Sequence, residues 1–164
     1  VSALIGRGAL ASFCAVLAAC APTADADAPP EIAQTAVEAH QRVQPENYRP
    51  TPSPLSPGVL VGNTLYLSGS TGGDPETGQL VEGGFEPEFR QVMSNLTRVL
   101  EAADMDLTNV VQVTSYLADM SDYARYNEMY REYFTVEPLP ARATVAVKEL
   151  ARGARVELMM IAVR

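Results

Sequence analysis

The stretch 86–103 constrains this chain more than any other. Its apolar residues Phe89, Val92, Met93, Leu96, Val99 and Leu100 recur three and four apart, the spacing of one helical face. Pro87 falls in the first turn, where a missing amide costs little. A helix with a single apolar stripe has to bury it against a second layer. Runs of β-branched and aromatic residues on either side supply that layer. Val59-Leu60-Val61 and Thr64-Leu65-Tyr66-Leu67-Ser68 flank Gly62-Asn63, which predicts a hairpin closed by a tight turn at positive φ. Residues 70–84 are dense in turn formers and predict a loop. Val110, Val111, Val113, Tyr116 and Leu117 predict a largely buried strand.

Further along, Ser121 is placed to cap a second helix carrying Tyr123, Tyr126, Met129, Tyr130, Tyr133 and Phe134, which Pro138 and Pro140 terminate. Core packing is the default reading of those tyrosines. Two more strands are expected over 143–147 and 155–162, separated by a turn at Ala151-Arg152-Gly153-Ala154. The predicted order is β-β-α-β-α-β-β, an α+β fold with one sheet and both helices on one face. That arrangement leaves the other sheet face uncovered, although the strands holding Leu67, Val113, Val145, Val147, Leu158 and Met160 are apolar at several alternating positions. Self-association would cover it.

A chain of 164 residues has room for one such core, and its prolines concentrate before residue 60, so the domain is expected to lie C-terminal. The opening holds one basic residue, Arg7, then an uncharged run from Gly8 to Ala19 too short to span a bilayer, in the manner of a signal h-region. Leu17-Ala18-Ala19-Cys20 resembles the lipobox of bacterial lipoproteins. This predicts a signal peptide over 1–19, a lipidated Cys20 heading a flexible Ala/Pro/Asp-rich tether over 20–52, and the domain over 53–164. One short helix is a candidate over 31–42. Each buried methylene of a lipid chain contributes ~0.8 kcal/mol, so two or more chains would hold an exported protein on the periplasmic face of a membrane. The competing readings are an ordinary cleaved signal with a chance cysteine, and a start placed too early, which Val1 in place of Met leaves open.

Both cysteines, Cys14 and Cys20, and the single histidine, His40, precede the expected domain. A disulfide, a thiolate nucleophile, a His-dependent triad and a Cys or His metal site are therefore excluded there. The net charge of −8 makes polyphosphate and nucleic-acid partners unfavourable. What remains is carboxylates, arginines, hydroxyls and backbone groups. Pro138-Leu139-Pro140-Ala141-Arg142 sets an arginine at the entrance of a strand after a rigid approach, where its fork could hold a carboxylate through two hydrogen bonds. A solvated rim charge or an inter-subunit ion pair is the competing role for Arg142. For Glu157 it is pairing with Arg155 or with a neighbouring subunit.

Pro140-Ala141-Arg142-Ala143-Thr144-Val145 resembles the signature of the Rid family, and Val156-Glu157-Leu158-Met159-Met160-Ile161-Ala162-Val163 resembles its terminal strand. Leu67-Ser68-Gly69, Asn95-Leu96, Asp119-Met120-Ser121-Asp122-Tyr123 and Asn127 match in order and separation. The resemblance implies a chorismate-mutase-like homotrimer with ligand clefts between subunits and no cofactor or metal. It implies an enamine/imine deaminase that converts small 2-imino acids to 2-oxo acids and ammonia. Arg142 would grip the substrate carboxylate and Glu157 would orient or activate water, with Ser68, Asn127 and Thr144 lining the cleft. A trimer that binds small carboxylates without turnover is the alternative; ribonuclease activity, attributed to some Rid proteins, fits an acidic chain poorly. The family's Gly-Pro-Tyr is set against Ser56-Pro57-Gly58, so Gly58 is expected to leave an emptier pocket. Its Ser-Gly-Gln is replaced by Ser68-Gly69-Ser70, and Thr144 stands where a cysteine is common.

Overall fold

The computed structural model describes residues 39–48 and 54–164, which belong to one compact unit, Ala36–Arg164. Six strands form one mixed sheet: β1 (Gln41–Val43), β2 (Gly58–Val61), β3 (Thr64–Thr71), β4 (Val110–Leu117), β5 (Ala141–Ala146) and β6 (Val156–Val163). The sheet order is β1-β2-β3-β6-β4-β5, antiparallel throughout except for the parallel pair β4–β5. Helices α1 (Phe85–Glu101) and α2 (Tyr123–Tyr133) complete the predicted order, with one extra strand at its start.

Alternation along the strands sorts the side chains by face. Leu65 and Leu67 of β3, Val113 and Leu117 of β4, and Val156, Leu158, Met160 and Ala162 of β6 are buried. They form one cluster with Phe89, Val92, Met93, Leu96 and Leu100 of α1 and with Tyr126, Met129 and Tyr130 of α2. Both helices therefore cover the same sheet face. Between them Phe89 packs edge-on against Tyr126 and Tyr133, with ring centroids 5.5 and 5.8 Å away. Tyr126 and Tyr130 of α2 are core, as their spacing suggested, and Tyr133 packs against it, whereas Tyr123 is exposed. On the other face Tyr66, Val145, Met159 and Val163 stay exposed. Of the apolar residues cited from sequence for these strands, Leu67, Val113, Leu158 and Met160 are on the helix side.

Three local details depart from the sequence reading. Gln41–Val43 is a strand hydrogen-bonded to β2, so the sheet begins inside the segment read as tether, and the end of the suggested 31–42 helix is extended. Three residues carry too little periodicity to announce a strand; pairing with β2 makes it one. β3 continues to Thr71, two residues into the expected loop. The residue that caps the 3-10 turn leading into α2 is Asp119, which accepts from the Ser121 amide at 2.8 Å, rather than Ser121 itself. Residues 1–38, with the expected signal and Cys20, lie outside the described residues. Among the described residues no helix is long and apolar enough to cross a membrane.

Candidate active site

Arg142 sits on β5, which among the described residues is an edge strand paired with β4 alone. Its register partner is Val113, a buried residue of the helix face, so the arginine leans toward α2. There the guanidinium is held on two sides. Nη2 donates to Asn127 Oδ1 at 2.7 Å, and Cζ lies 4.5 Å from the Tyr130 ring centroid and 5.1 Å from that of Tyr126. Residues 126, 127 and 130 fall within one turn and so present a single surface. Set over the two rings and exposed at its outer side, the guanidinium keeps a planar donor fork of the kind suited to a carboxylate.

Beneath the guanidinium the contacts are polar but dry. Tyr126 Oη and Ser115 Oγ share a hydrogen bond of 2.6 Å, and both residues are fully buried. Thr144 aligns with Ser115 across β4–β5; its Oγ1 is buried without a hydrogen-bond partner, as is Tyr130 Oη. Burial pushes the Tyr126 phenol above its ordinary range, and the Ser115 bond, the Arg142 charge and the nearby Thr144 hydroxyl pull it back only in part. Burial, reinforced by Tyr126, likewise raises Tyr130, with Arg142 opposing. Both phenols thus stay neutral supports for the cation.

Glu157 belongs to a different surface. It aligns with Tyr116 of β4 and Thr71 of β3, one position out of step with the buried Val156 and Leu158, and so faces away from the helices. Its carboxylate fills the space over Gly69, where any Cβ would overlap Glu157 Oε1. A register shift between Leu67 and Ser70 places Gly69 there. β2 pairs with β3 only as far as Leu67, so among the described residues the continuation 68–71 has no strand on that side. A cavity of about 730 Å³ opens around this edge, lined among others by Leu55, Ser68, Gly69, Thr71, Asn95 and Glu157. Ser68 lines it, but its hydroxyl proton is committed to the Ser56 carbonyl at 2.6 Å. Asn95 Nδ2 donates to the carbonyls of Thr71 (3.3 Å) and Gly73 (2.8 Å), fixing the cavity's rim to α1.

The chain therefore groups Arg142, Asn127 and Thr144 in one place and Glu157 with Ser68 in another. Arg142 and Glu157 stand on opposite faces, two strands apart, or about 10 Å sideways at the usual strand spacing. The expectation for Gly58 is corrected: a Cβ there would meet Val99 Cγ1 at 3.0 Å and Leu65 Cδ1 at 3.1 Å, inside the core. Leu55, three residues earlier, lines the cavity instead, so Ser53-Pro54-Leu55 is the better counterpart of Gly-Pro-Tyr. Sequence reasoning also missed the roles of Tyr126 and Ser115. The available signals were the i, i+1, i+4 spacing of Tyr126, Asn127 and Tyr130, and a serine inside an apolar strand.

A family profile described as Endoribonuclease L-PSP matches residues 47–164. The chain belongs to the Rid/L-PSP family. A mouse relative, the 2-iminobutanoate/2-iminopropanoate deaminase of Mus musculus, is 49% identical over 111 residues, covering 68% of this chain and 82% of the relative. The crystal structure of RidA from an Antarctic Psychrobacter is 40% identical, with a TM-score of 0.70 over 76% of this chain and 99% of that one. E. coli TdcF, crystallised with bound serine, is 25% identical with a TM-score of 0.69 over 76% and 98% of the two chains. The fold of this family member, one mixed sheet and two helices, is thus that of solved Rid proteins.

Proposed function

We propose that this Rid protein hydrolyses small 2-imino acids to 2-oxo acids and ammonia. The carrying observation is Arg142, exposed, set over the rings of Tyr126 and Tyr130 and tied to Asn127, a receptor for a planar carboxylate. The 49% identity to a 2-iminobutanoate/2-iminopropanoate deaminase supports the reaction, and serine bound to E. coli TdcF supports a small carboxylate as ligand. Since Arg142 and Glu157 face opposite ways, a site using both takes them from two copies. The exposed apolar sheet face of Tyr66, Val145 and Met159 offers the contact for a homotrimer.

In such a site Arg142 holds the substrate carboxylate and Glu157 of the adjoining copy takes a proton from water. Water oxygen bonds to the imine carbon while the nitrogen gains a proton, giving a tetrahedral carbinolamine. The C–N bond then breaks, ammonia leaves and the oxygen becomes the ketone of the 2-oxo acid. An imine carbon is already electrophilic, so positioning and proton transfer suffice. Thr144, Asn127 and Ser68 supply polar groups along the walls. We further propose export and lipid attachment at Cys20, which Cys20→Ser would abolish in a labelled-palmitate incorporation assay.

The test of function is hydrolysis of 2-iminopropanoate and 2-iminobutanoate generated in situ by wild type, Arg142→Ala and Glu157→Ala. Acceleration over the uncatalysed rate that both variants lose is the expected outcome. A folded trimer that binds pyruvate without accelerating hydrolysis would instead be a carboxylate-binding protein.

A further inference from the structure

Glu88 is a buried carboxylate that the proposed reaction does not use. It lies in the first turn of α1 and is only 4% exposed. Removing a carboxylate from water is costly unless hydrogen bonds compensate. Glu88 has them: Oε1 accepts from the Arg155 amide at 2.8 Å and the Val156 amide at 3.3 Å. These are the two residues immediately before Glu157. The Arg155 carbonyl in turn accepts from the Ala118 amide at 2.9 Å, so the start of β6 is tied to the end of β4 on one side and to α1 on the other.

The same residue also touches the opposite border of the Glu157 carboxylate. Gly72 follows Thr71, the register partner of Glu157 on β3. A Cβ at Gly72 would collide with Glu88 Cγ and lie 2.8 Å from its carbonyl oxygen and 2.9 Å from its Cα. The β3 end is thus pressed directly onto Glu88. Glu88 adjoins both the start of β6 and the residue after β3, and the Glu157 carboxylate lies over Gly69 of that strand.

We propose that Glu88 is the positioning residue for Glu157, fixing the strand that carries it through the amides of Arg155 and Val156. This rests on the reading of Glu157 as the group that activates water. A hydrogen-bond acceptor is what the two amides need, so Glu88→Gln preserves the function and Glu88→Ala does not. Displacing a reacting group by ~1 Å can cost up to ~100-fold. The expected result for Glu88→Ala is therefore a kcat loss of at least ~10-fold, with KM within about twofold because Arg142 lies on the other sheet face.

The experiment measures kcat and KM for 2-iminobutanoate with the full chain carrying Glu88→Ala, Glu88→Gln or Gly72→Ala. Amide exchange at Arg155 and Val156 is followed in parallel. Support consists of a kcat-selective loss in Glu88→Ala and Gly72→Ala, near-wild-type rates in Glu88→Gln, and faster exchange of the two amides in Glu88→Ala and Gly72→Ala but not in Glu88→Gln. A folded Glu88→Ala with wild-type kcat, a KM rise that matches the kcat loss, a Glu88→Gln as impaired as Glu88→Ala, or unchanged exchange each overturns the proposal. Should Glu88→Ala fail to fold, Gly72→Ala and Glu88→Gln decide it. A wild type that hydrolyses no imine would overturn the proposed function, and the exchange measurement would still show whether Glu88 holds the start of β6.

Discussion

The hydrogen bond between Ser115 and Tyr126 offers a sharp test of how the Arg142 support is built. Both side chains are fully buried and the bond is 2.6 Å. In Ser115→Ala the phenol loses its partner, and leaving a buried polar group unsatisfied costs roughly 1–3 kcal/mol. Thr144 Oγ1 is unpartnered and near that phenol, so it can take over part of the bond, which places the cost in the lower half of that range. Tyr126→Phe keeps the ring against Phe89 and under Arg142 but strands the serine hydroxyl, at about 1–2 kcal/mol. Replacing both leaves two apolar groups of nearly the original shape. The double variant should then lose at least ~1 kcal/mol less than the sum of the singles. Urea unfolding of the four proteins at one fixed concentration measures this, the concentration being held because association adds to apparent stability. Losses that add to within ~0.5 kcal/mol would show the two hydroxyls to be independent and refute the reasoning.

Gly69→Ala should fold and yet lose most deaminase activity, because its methyl group takes the place of Glu157 Oε1; wild-type rates in a folded Gly69→Ala would contradict the carboxylate's placement. Gly58→Ala should cost a modest amount of stability through its tight contacts with Val99 and Leu65 while leaving KM alone, whereas Leu55→Tyr should shift KM, and steady-state kinetics on both separate the two positions. Stability should fall above about pH 10, the ordinary tyrosine value, since burial raises Tyr126 and Tyr130 in the folded state and the unfolded chain releases those protons first. That contribution is complete below the unfolded value and disappears as pH climbs through the folded one; Tyr126→Phe should flatten the decline in alkaline denaturation curves.

Helix α1 was legible because its stripe repeats over four turns: the expected 86–103 differs from Phe85–Glu101 by one residue at the start and two at the end. Strands β2 and β3 were legible from the Gly62-Asn63 turn between two apolar runs, and β4 to β6 from runs rich in β-branched and apolar residues. β1 was not, since three residues draw their structure from the partner strand. For the site, the resemblance named Arg142, Asn127 and Thr144, which the fold brings together. It named Glu157 too, but the face it points to depends on strand register, and register here includes shifts near Leu67 and Val110. A one-residue slip reverses every side chain of a strand, and nothing local in the sequence encodes it. Gly58 was put in the cleft by matching Ser56-Pro57-Gly58 to the family's Gly-Pro-Tyr, a match that says nothing of which side chains surround it. The support of Arg142 by Tyr126 was hidden because an aromatic stripe reads as core, and Tyr126 is core as well as pedestal.

In the proposed assembly, the opposed outlook of Arg142 and Glu157 would make each chain a lender as well as a borrower. A chain with Arg142→Ala still brings an intact Glu157, and one with Glu157→Ala an intact Arg142. Unfolded together and refolded as mixed assemblies, two dead proteins should recover activity. Random partnering would rebuild about a quarter of the shared sites, each taking its arginine from one variant and its glutamate from the other. In such an assembly a chain that is inactive alone can still complete a site on its neighbour.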